Sequence, residues 1–154
     1  MKLRNIVVGV AMCLFCLTLC FADTSLLGTW KLNEAKSKIP AGAPKSLTVV
    51  YEAAGDSFKS TIDGVDGKGN PTHTEWTGKF DGKDYPVTGD PNQSTRSVKT
   101  INDHKFAVDI KKDGKVTISG LIEVAADGKS RTVTLHGTDA TGKKMESKAV
   151  YDKQ

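Results

Sequence analysis

The chain has 154 residues, and its 22 basic and 18 acidic residues are interspersed without a run of five like charges. That distribution is typical of a solvated surface and argues against nucleic-acid binding. Once an N-terminal leader is set aside, about 130 residues remain, which is enough for one hydrophobic core and too few for two.

The first 22 residues predict an export signal. Lys2 and Arg4 precede an apolar stretch over residues 6–19, and small residues then follow at the positions that a signal peptidase reads. We therefore expect cleavage after Ala22 and a secreted or periplasmic domain over residues 23–154. We expect no stable membrane insertion after cleavage, because the apolar stretch is shorter than the roughly 20 residues of a spanning helix.

All three cysteines, Cys13, Cys16 and Cys20, lie in this leader, so the mature domain has no thiol. That excludes a disulfide framework, a zinc–thiolate site and a cysteine nucleophile. An alternative processing route makes Cys20 the lipidated residue of a lipoprotein. Leu19 disfavours that route, since a lipobox places Gly, Ala or Ser at this position.

The first predicted strand is Leu27-Gly28-Thr29-Trp30-Lys31-Leu32. Trp30 and Leu32 share one face, which we predict to be the inner one, and Gly28 lets the chain bend as it enters the strand. A loop rich in proline and glycine follows over residues 33–44, with one helical turn near Glu34. Within the first strand, we assign structural roles to Gly28, at the bend, and to Trp30, on the predicted inner face.

From Ser46 onward, short alternating segments follow one another about every ten residues, with turn dipeptides between them. Pro86 limits one of these segments to a short or edge strand. The sequence predicts an all-β fold, a single antiparallel up-and-down β-barrel of eight to ten strands. A β-sandwich is the alternative fold.

The tripeptide Asp-Gly-Lys occurs four times, beginning at residues 66, 81, 113 and 127. A cation-binding repeat is one interpretation. Hairpin turns are the favoured one, because Asp-Gly suits the positive φ angles of tight turns. The loop that begins at Asp63 also lacks the spacing and the closing glutamate of a calcium loop.

No constellation of residues predicts catalysis. His73, His104 and His136 lie at positions expected to face solvent, and no serine occupies a Gly-x-Ser-x-Gly elbow. His73 and Glu75 share a face, which allows a local ion pair. We expect no enzymatic activity, no metal site and no cofactor.

Arginine is rare in the mature domain and its placement is informative. Only Arg96 and Arg131 remain after cleavage, and each is in phase with apolar residues of its own strand. An inward arginine needs a partner, because an unpaired buried charge is costly. A ligand carboxylate held by the guanidinium group is one such partner. The alternatives are that Arg131 stacks on Trp30 as a structural cap, or that either arginine reaches water at a strand end.

The candidate ligand site follows from the facing of neighbouring strands. We predict Arg131 as the anchor for an acidic group, Tyr151 as its hydrogen-bonding neighbour and Arg96 as a second anchor. Arg131 and Tyr151 lie on sequential strands that should pair as a hairpin around residues 140–143. The predicted apolar wall consists of Phe106, Ile118 and Ile122.

The Gly-x-Trp opening, the strand rhythm and the closing residues 150–153 resemble the plan of the calycin superfamily of lipocalins and fatty-acid-binding proteins. Residues 51–56 and 80–89 also resemble uncharacterised secreted bacterial lipocalin-like proteins. The resemblance implies a barrel that encloses a small ligand. Two departures argue against a fatty acid: residues 33–45 are too short for the helix pair of the fatty-acid-binding proteins, and Ala149 stands where their closing Arg-x-Tyr has its arginine.

Two functions from different classes remain open. One is a binding module for a small apolar or amphipathic ligand, with an acidic group on that ligand as a further option. The other is a non-catalytic structural or interaction protein with a filled barrel. An eight-stranded barrel suits either function, because its interior is just wide enough for side chains or for one small ligand.

Overall fold

The computed structural model describes residues 24–138 and 142–154. The predicted leader, residues 1–22, and part of the predicted turn at 140–143 lie outside the described residues. Within the described part of the chain, no helix is long and apolar enough to cross a membrane.

Ten strands and two short 3₁₀ helices make up the described fold. The helices are η1 (Thr24–Leu26) and η2 (Glu34–Lys36). The strands are β1 (Gly28–Leu32), β2 (Lys45–Ala54), β3 (Ser57–Val65), β4 (Pro71–Gly78), β5 (Tyr85–Thr88), β6 (Thr95–Asn102), β7 (Lys105–Lys112), β8 (Lys115–Val124), β9 (Ser130–Thr138) and β10 (Lys144–Lys153).

The strands form one closed antiparallel barrel in the order β1-β10-β9-β8-β7-β6-β5-β4-β3-β2. Each strand pairs with its neighbours in sequence, and β1 closes the barrel by pairing with both β2 and β10. The predicted up-and-down barrel is thus confirmed, with ten strands, and the sandwich alternative is wrong. Closure gives each of the ten described strands two hydrogen-bonded neighbours, which limits the exposed edges that a sheet must otherwise protect.

Local turn chemistry explains much of this order. In the β7–β8 hairpin, Asp113 and Gly114 have φ angles of 49° and 78°, the left-handed pair that a type I′ turn requires. Pro86 lies in the four-residue strand β5, which pairs with only two residues of each neighbour. The seam around β5 is therefore the most sparsely hydrogen-bonded part of the barrel wall.

One end of the barrel is closed by apolar side chains. We call it the lower end; it holds η1 and the β2–β3, β4–β5, β6–β7 and β8–β9 connections. Leu26 of η1 is fully buried, and its carbonyl accepts a hydrogen bond of 2.8 Å from Trp30 Nε1. Phe80, from the β4–β5 connection, stacks on Phe58 at 4.2 Å and contacts Phe106 edge-on at 5.5 Å. These rings fill the lower interior.

The opposite, upper end is less filled. Inward positions near the lower ends of β8, β9 and β10 are buried, whereas those nearer the upper ends are half-buried. Half-buried inward residues lie on five strands: Ile118 and Gly120 on β8, Val133 and Leu135 on β9, Ser147 on β10, Leu32 on β1 and Ile62 on β3; we call this set the upper arc. The barrel interior is therefore most accessible from the upper end, along this arc.

Candidate functional site

Arg131 lies at the centre of the candidate site, near the lower end of β9. Its side chain is 3% exposed. The guanidinium carbon is 5.0 Å from the centre of the Trp30 ring, 5.4 Å from that of Tyr51 and 4.8 Å from that of Tyr151. Three aromatic rings on β1, β2 and β10 therefore surround one buried cation, an arrangement that each ring quadrupole favours.

The guanidinium group is only partly hydrogen-bonded. Nε and Nη1 are buried without an acceptor, while the guanidinium donates a side-chain hydrogen bond to the Tyr51 hydroxyl oxygen. Burial lowers the pKa of Arg131, and Tyr51 and Tyr151 offset part of that effect. No ion pair of Arg131 with a carboxylate occurs among the described residues. Arginine nevertheless stays protonated in proteins, so the site holds an uncompensated positive charge.

Tyr151 lies directly beside this charge. It is the cross-strand partner of Arg131 in the β9–β10 pair, and it is buried. Burial raises the pKa of the Tyr151 phenol, whereas the charge of Arg131 and a hydrogen bond with Ser46 lower it. The structure therefore brings together the predicted anchor and its predicted neighbour, and the phenol stays protonated at neutral pH.

Arg96 is the second buried arginine. It is 6% exposed and pairs across the sheet with Tyr85 and Ile110. Its Nη2 donates a hydrogen bond of 2.8 Å to Gln93 Oε1, while its Nε is buried without an acceptor. Burial lowers the pKa of Arg96, whereas Tyr51 and the carboxylate of Asp90 raise it.

Two residues of the site were not predicted as ligands from the sequence. Tyr51, which seemed only to fill the interior, has its ring centre 5.4 Å from the guanidinium carbon of Arg131, and it raises the pKa of Arg96 electrostatically. Ser60, its cross-strand partner on β3, is 0% exposed and its hydroxyl has no partner. Facing parity places both side chains inside, but nothing in the sequence shows that Tyr51 meets Arg131 from a distant strand.

The three predicted wall residues occupy different parts of the barrel. Phe106 and Ile122 are cross-strand partners in the buried lower interior, where Phe106 packs against Phe80. Ile118 is half-buried and lies nearer the upper end of β8. The accessible apolar wall thus consists of Ile118 with Val133 and Leu135, rather than of Phe106 and Ile122.

Gly28 and Trp30 have the geometry of structural residues. Gly28 has a φ angle of 111°, in the left-handed region that glycine favours. Trp30 is fully buried, and Lys153 Nζ lies 5.1 Å from its ring centre in addition to Arg131. This tryptophan is therefore held by a hydrogen bond to η1 and by two cations.

The outer surface offers weaker candidates. Two shallow grooves of about 280 and 580 Å³ lie along β8–β10 and include polar residues such as Thr134 and His136 in their lining, and Arg131 also lines the smaller one. His73, His104 and His136 are exposed, and no cluster of three potential metal ligands occurs in the described ranges. We favour the interior as the site because buried polar groups without partners, such as the Ser60 hydroxyl and Arg131 Nε and Nη1, belong to side chains on its inward faces.

Comparison of the sequence with protein-family models finds no match, and comparison with curated proteins finds none. The closed antiparallel barrel is compatible with a calycin-like fold.

Proposed function

We propose that this protein is a non-catalytic binding protein whose barrel interior takes a small amphipathic ligand with an acidic group. The observation that carries the proposal is Arg131, a buried guanidinium with Nε and Nη1 unpartnered and no contacting carboxylate among the described residues. Natural proteins rarely bury a charge without a counter-charge, because desolvation is costly. An acidic ligand provides the counter-charge.

The shape of the barrel supports an amphipathic ligand. The acid-binding group lies deep, near the closed lower end, and half-buried apolar residues line the upper arc. A ligand with its acid at Arg131 therefore extends past Val133 and Leu135 toward the upper opening. A charge-assisted hydrogen bond to its acid contributes about 1.5–3 kcal/mol net, and each buried methylene adds about 0.8 kcal/mol.

The proposal includes the finer features that the sequence resemblance implies. We assign the chain to the calycin-like barrels because of its Gly-x-Trp opening. Trp30 donates a hydrogen bond to Leu26 of η1, and its strand pairs with the last strand, β10. We place the mature protein outside the cytoplasm, secreted or periplasmic, on the strength of the leader with its cleavage after Ala22. No nucleic-acid partner is proposed, because the charges are mixed along the chain.

A second candidate function rests on the aromatic cluster. Phe58, Trp76, Phe80 and Phe106 stack around one another and fill the lower interior. A barrel of this kind has a structural or interaction role, with Arg131 as the cap over Trp30. The two functions predict different effects of replacing Arg131. In a binding protein the replacement lowers ligand affinity, whereas in a filled barrel it changes only the stability of the fold.

Calorimetric titration of the mature protein with dodecanoate and with dodecanol tests the proposal. We expect dodecanoate to bind at least about tenfold more tightly than dodecanol, as the net strength of a charge-assisted hydrogen bond implies. Arg131→Met should remove that difference and leave dodecanol binding unchanged. Lys129→Met, in the exposed β8–β9 turn, is the control and should bind both compounds as the wild type does.

Native mass spectrometry of the protein from its own source provides an independent check. We expect a bound acidic lipid-like compound that disappears in Arg131→Met. A clean apo mass together with no binding of either dodecyl compound would instead establish the filled barrel.

A further inference from the structure

We propose that the ligand enters the barrel from the side, through a split in the wall between β2 and β10, and that Ile39 controls this passage and contacts the apolar tail. We call this opening the lateral split. The inference rests on the proposed function, because it specifies how an amphipathic acid reaches Arg131 and where its tail lies.

The split exists because β1 is half as long as the two strands that it joins. Strand β1 has five residues, whereas β2 and β10 each have ten. The pairing of β1 with β2 ends at Lys31 and Thr48, so the next pair in register, Leu32 and Leu47, is not formed. Above that level, no strand lies between β2 and β10.

The chain that leaves β1 stays with β10. The Asn33 N–H donates to the Val150 carbonyl at 2.8 Å, and Lys38 exchanges backbone hydrogen bonds of 2.7 and 2.9 Å with Lys148. No backbone hydrogen bond joins residues 33–44 to β2 in the described part of the chain. The segment after β1 therefore forms the β10 side of the split, and β2 forms the other side.

Residues 39–44 cross the split as a cover that pairs with neither strand. Their two prolines lack a backbone N–H, and their described backbone hydrogen bond is internal, from the Ala43 N–H to the Pro40 carbonyl. The tip of the cover lies on the β3–β4 loop, where a Cβ at Gly67 would overlap the Gly42 carbonyl. Because few hydrogen bonds hold this cover, it can open without unfolding of the barrel.

Ile39 is the apolar side chain of the cover that points inward. Lys38 and Lys148 are opposed and exposed, so alternation directs Ile39 toward the interior beside Ser147. Ile39 is half-buried and packs against the buried core. Leu47, on the other side of the split, is 36% exposed. An apolar tail in the split therefore contacts Ile39 on the inside and Leu47 at the mouth.

The burial of the inward residues agrees with an opening at this place. The upper arc extends over β8, β9, β10, β1 and β3, and the split lies within it. On the opposite wall, the inward residues Val98, Val108 and Ile110 of β6 and β7 are at most 9% exposed. The interior is therefore more accessible beside the split than beside β6 and β7.

Single-cysteine labelling tests the passage, since the predicted mature domain has no thiol of its own. Three exposed apolar residues provide matched sites: Leu47 at the split, Val116 near the upper start of β8 and Ile101 near the lower end of β6. Each is replaced by cysteine and coupled to a bulky, neutral polyethylene-glycol maleimide. Stopped-flow tryptophan fluorescence then follows dodecanoate binding, because the Trp30 ring lies next to the guanidinium group of Arg131.

We expect the label at Leu47→Cys to lower both the association and the dissociation rate of dodecanoate by at least about tenfold, because a narrowed passage slows both directions. The labels at Val116→Cys and Ile101→Cys should leave both rates within about twofold of the unlabelled proteins. Ile39→Ala should raise both rates by at least about threefold, since a smaller side chain leaves the passage open. Ile101→Ala is its matched control.

The outcomes separate the passage from the proposed function. Equal slowing by the labels at Leu47→Cys and Val116→Cys, or no slowing by the first, overturns lateral entry and leaves an acid-binding barrel. Unchanged or lower rates in Ile39→Ala overturn the role of Ile39. Absence of dodecanoate binding by the wild type overturns the proposed function and the lateral passage with it.

Discussion

The guanidinium carbon of Arg131 on β9 lies 5.0 Å from the ring centre of Trp30 on β1. These residues are far apart in the sequence, and β10 lies between their strands in the closed barrel. A buried cation–π contact of this kind contributes up to about 2 kcal/mol. It does not provide the negative charge that a guanidinium requires, so the stacking on Trp30 and a bound acid are compatible roles for Arg131.

Arg131→Met should change the free energy of unfolding by less than about 2 kcal/mol in the absence of ligand. The loss of stacking on Trp30 opposes the gain from removing an uncompensated buried charge, and methionine adapts to the vacated volume. Urea unfolding measures this change in the free energy of unfolding, and the m-value should be the same for the variant and the wild type. A loss above about 3 kcal/mol would show that the cap over Trp30 is the dominant role of Arg131.

Tyr51→Phe should destabilise the protein by about 1–3 kcal/mol, because the buried guanidinium of Arg131 loses its hydrogen bond with the Tyr51 hydroxyl. The ring contact with Phe80 at 6.3 Å is kept. Tyr85→Phe is the matched control, since its hydroxyl donates to Asp81 at the exposed surface. Equal thermal stabilities of the two variants would argue against a connection between Tyr51 and Arg131.

Gly120→Ala should destabilise the barrel by about 1–3 kcal/mol through overpacking. A Cβ at Gly120 would overlap the Thr134 carbonyl oxygen on β9, which is backbone and cannot move aside alone. Gly137→Ala is a graded control, because its Cβ would lie 3.1 Å from the Thr117 carbonyl oxygen. Chemical denaturation of both variants measures their free energies of unfolding, and we expect the larger decrease for Gly120→Ala. A smaller decrease for Gly120→Ala than for Gly137→Ala contradicts the prediction.

His73 should titrate above its ordinary pKa of about 6.5. A hydrogen bond of 2.6 Å from Nδ1 to Asp63 raises the pKa, as does the charge of Glu75, while burial and the charge of Lys59 lower it. Because the folded pKa is the higher one, this pair stabilises the fold fully below the unfolded pKa, and the contribution is lost as pH rises through the folded pKa. NMR titration should show a lower pKa for His73 in Asp63→Asn than in wild type; an unchanged value refutes the assignment.

Local patterns in the sequence determined the strands and their facing. Residues that alternate between apolar and polar, with Asp-Gly turns between them, predict an antiparallel meander because side chains on a strand alternate with a period of two. The same parity places Arg96, Arg131 and Tyr151 on inward faces. Pro86 likewise predicts the short β5, since proline cannot donate a ladder hydrogen bond.

Only the tertiary structure decided which inward residues meet and which part of the interior is filled. Phe80 comes from a connection, and its stacking on Phe58 closes the lower end, so Phe106 and Ile122 lie in a packed core. Tyr51 lies over Arg131 because closure brings β2 and β9 around one interior. Sequence periodicity reports the face on which a side chain lies, but strand stagger and ring packing set its neighbours across the barrel, and these depend on contacts between residues far apart in the chain.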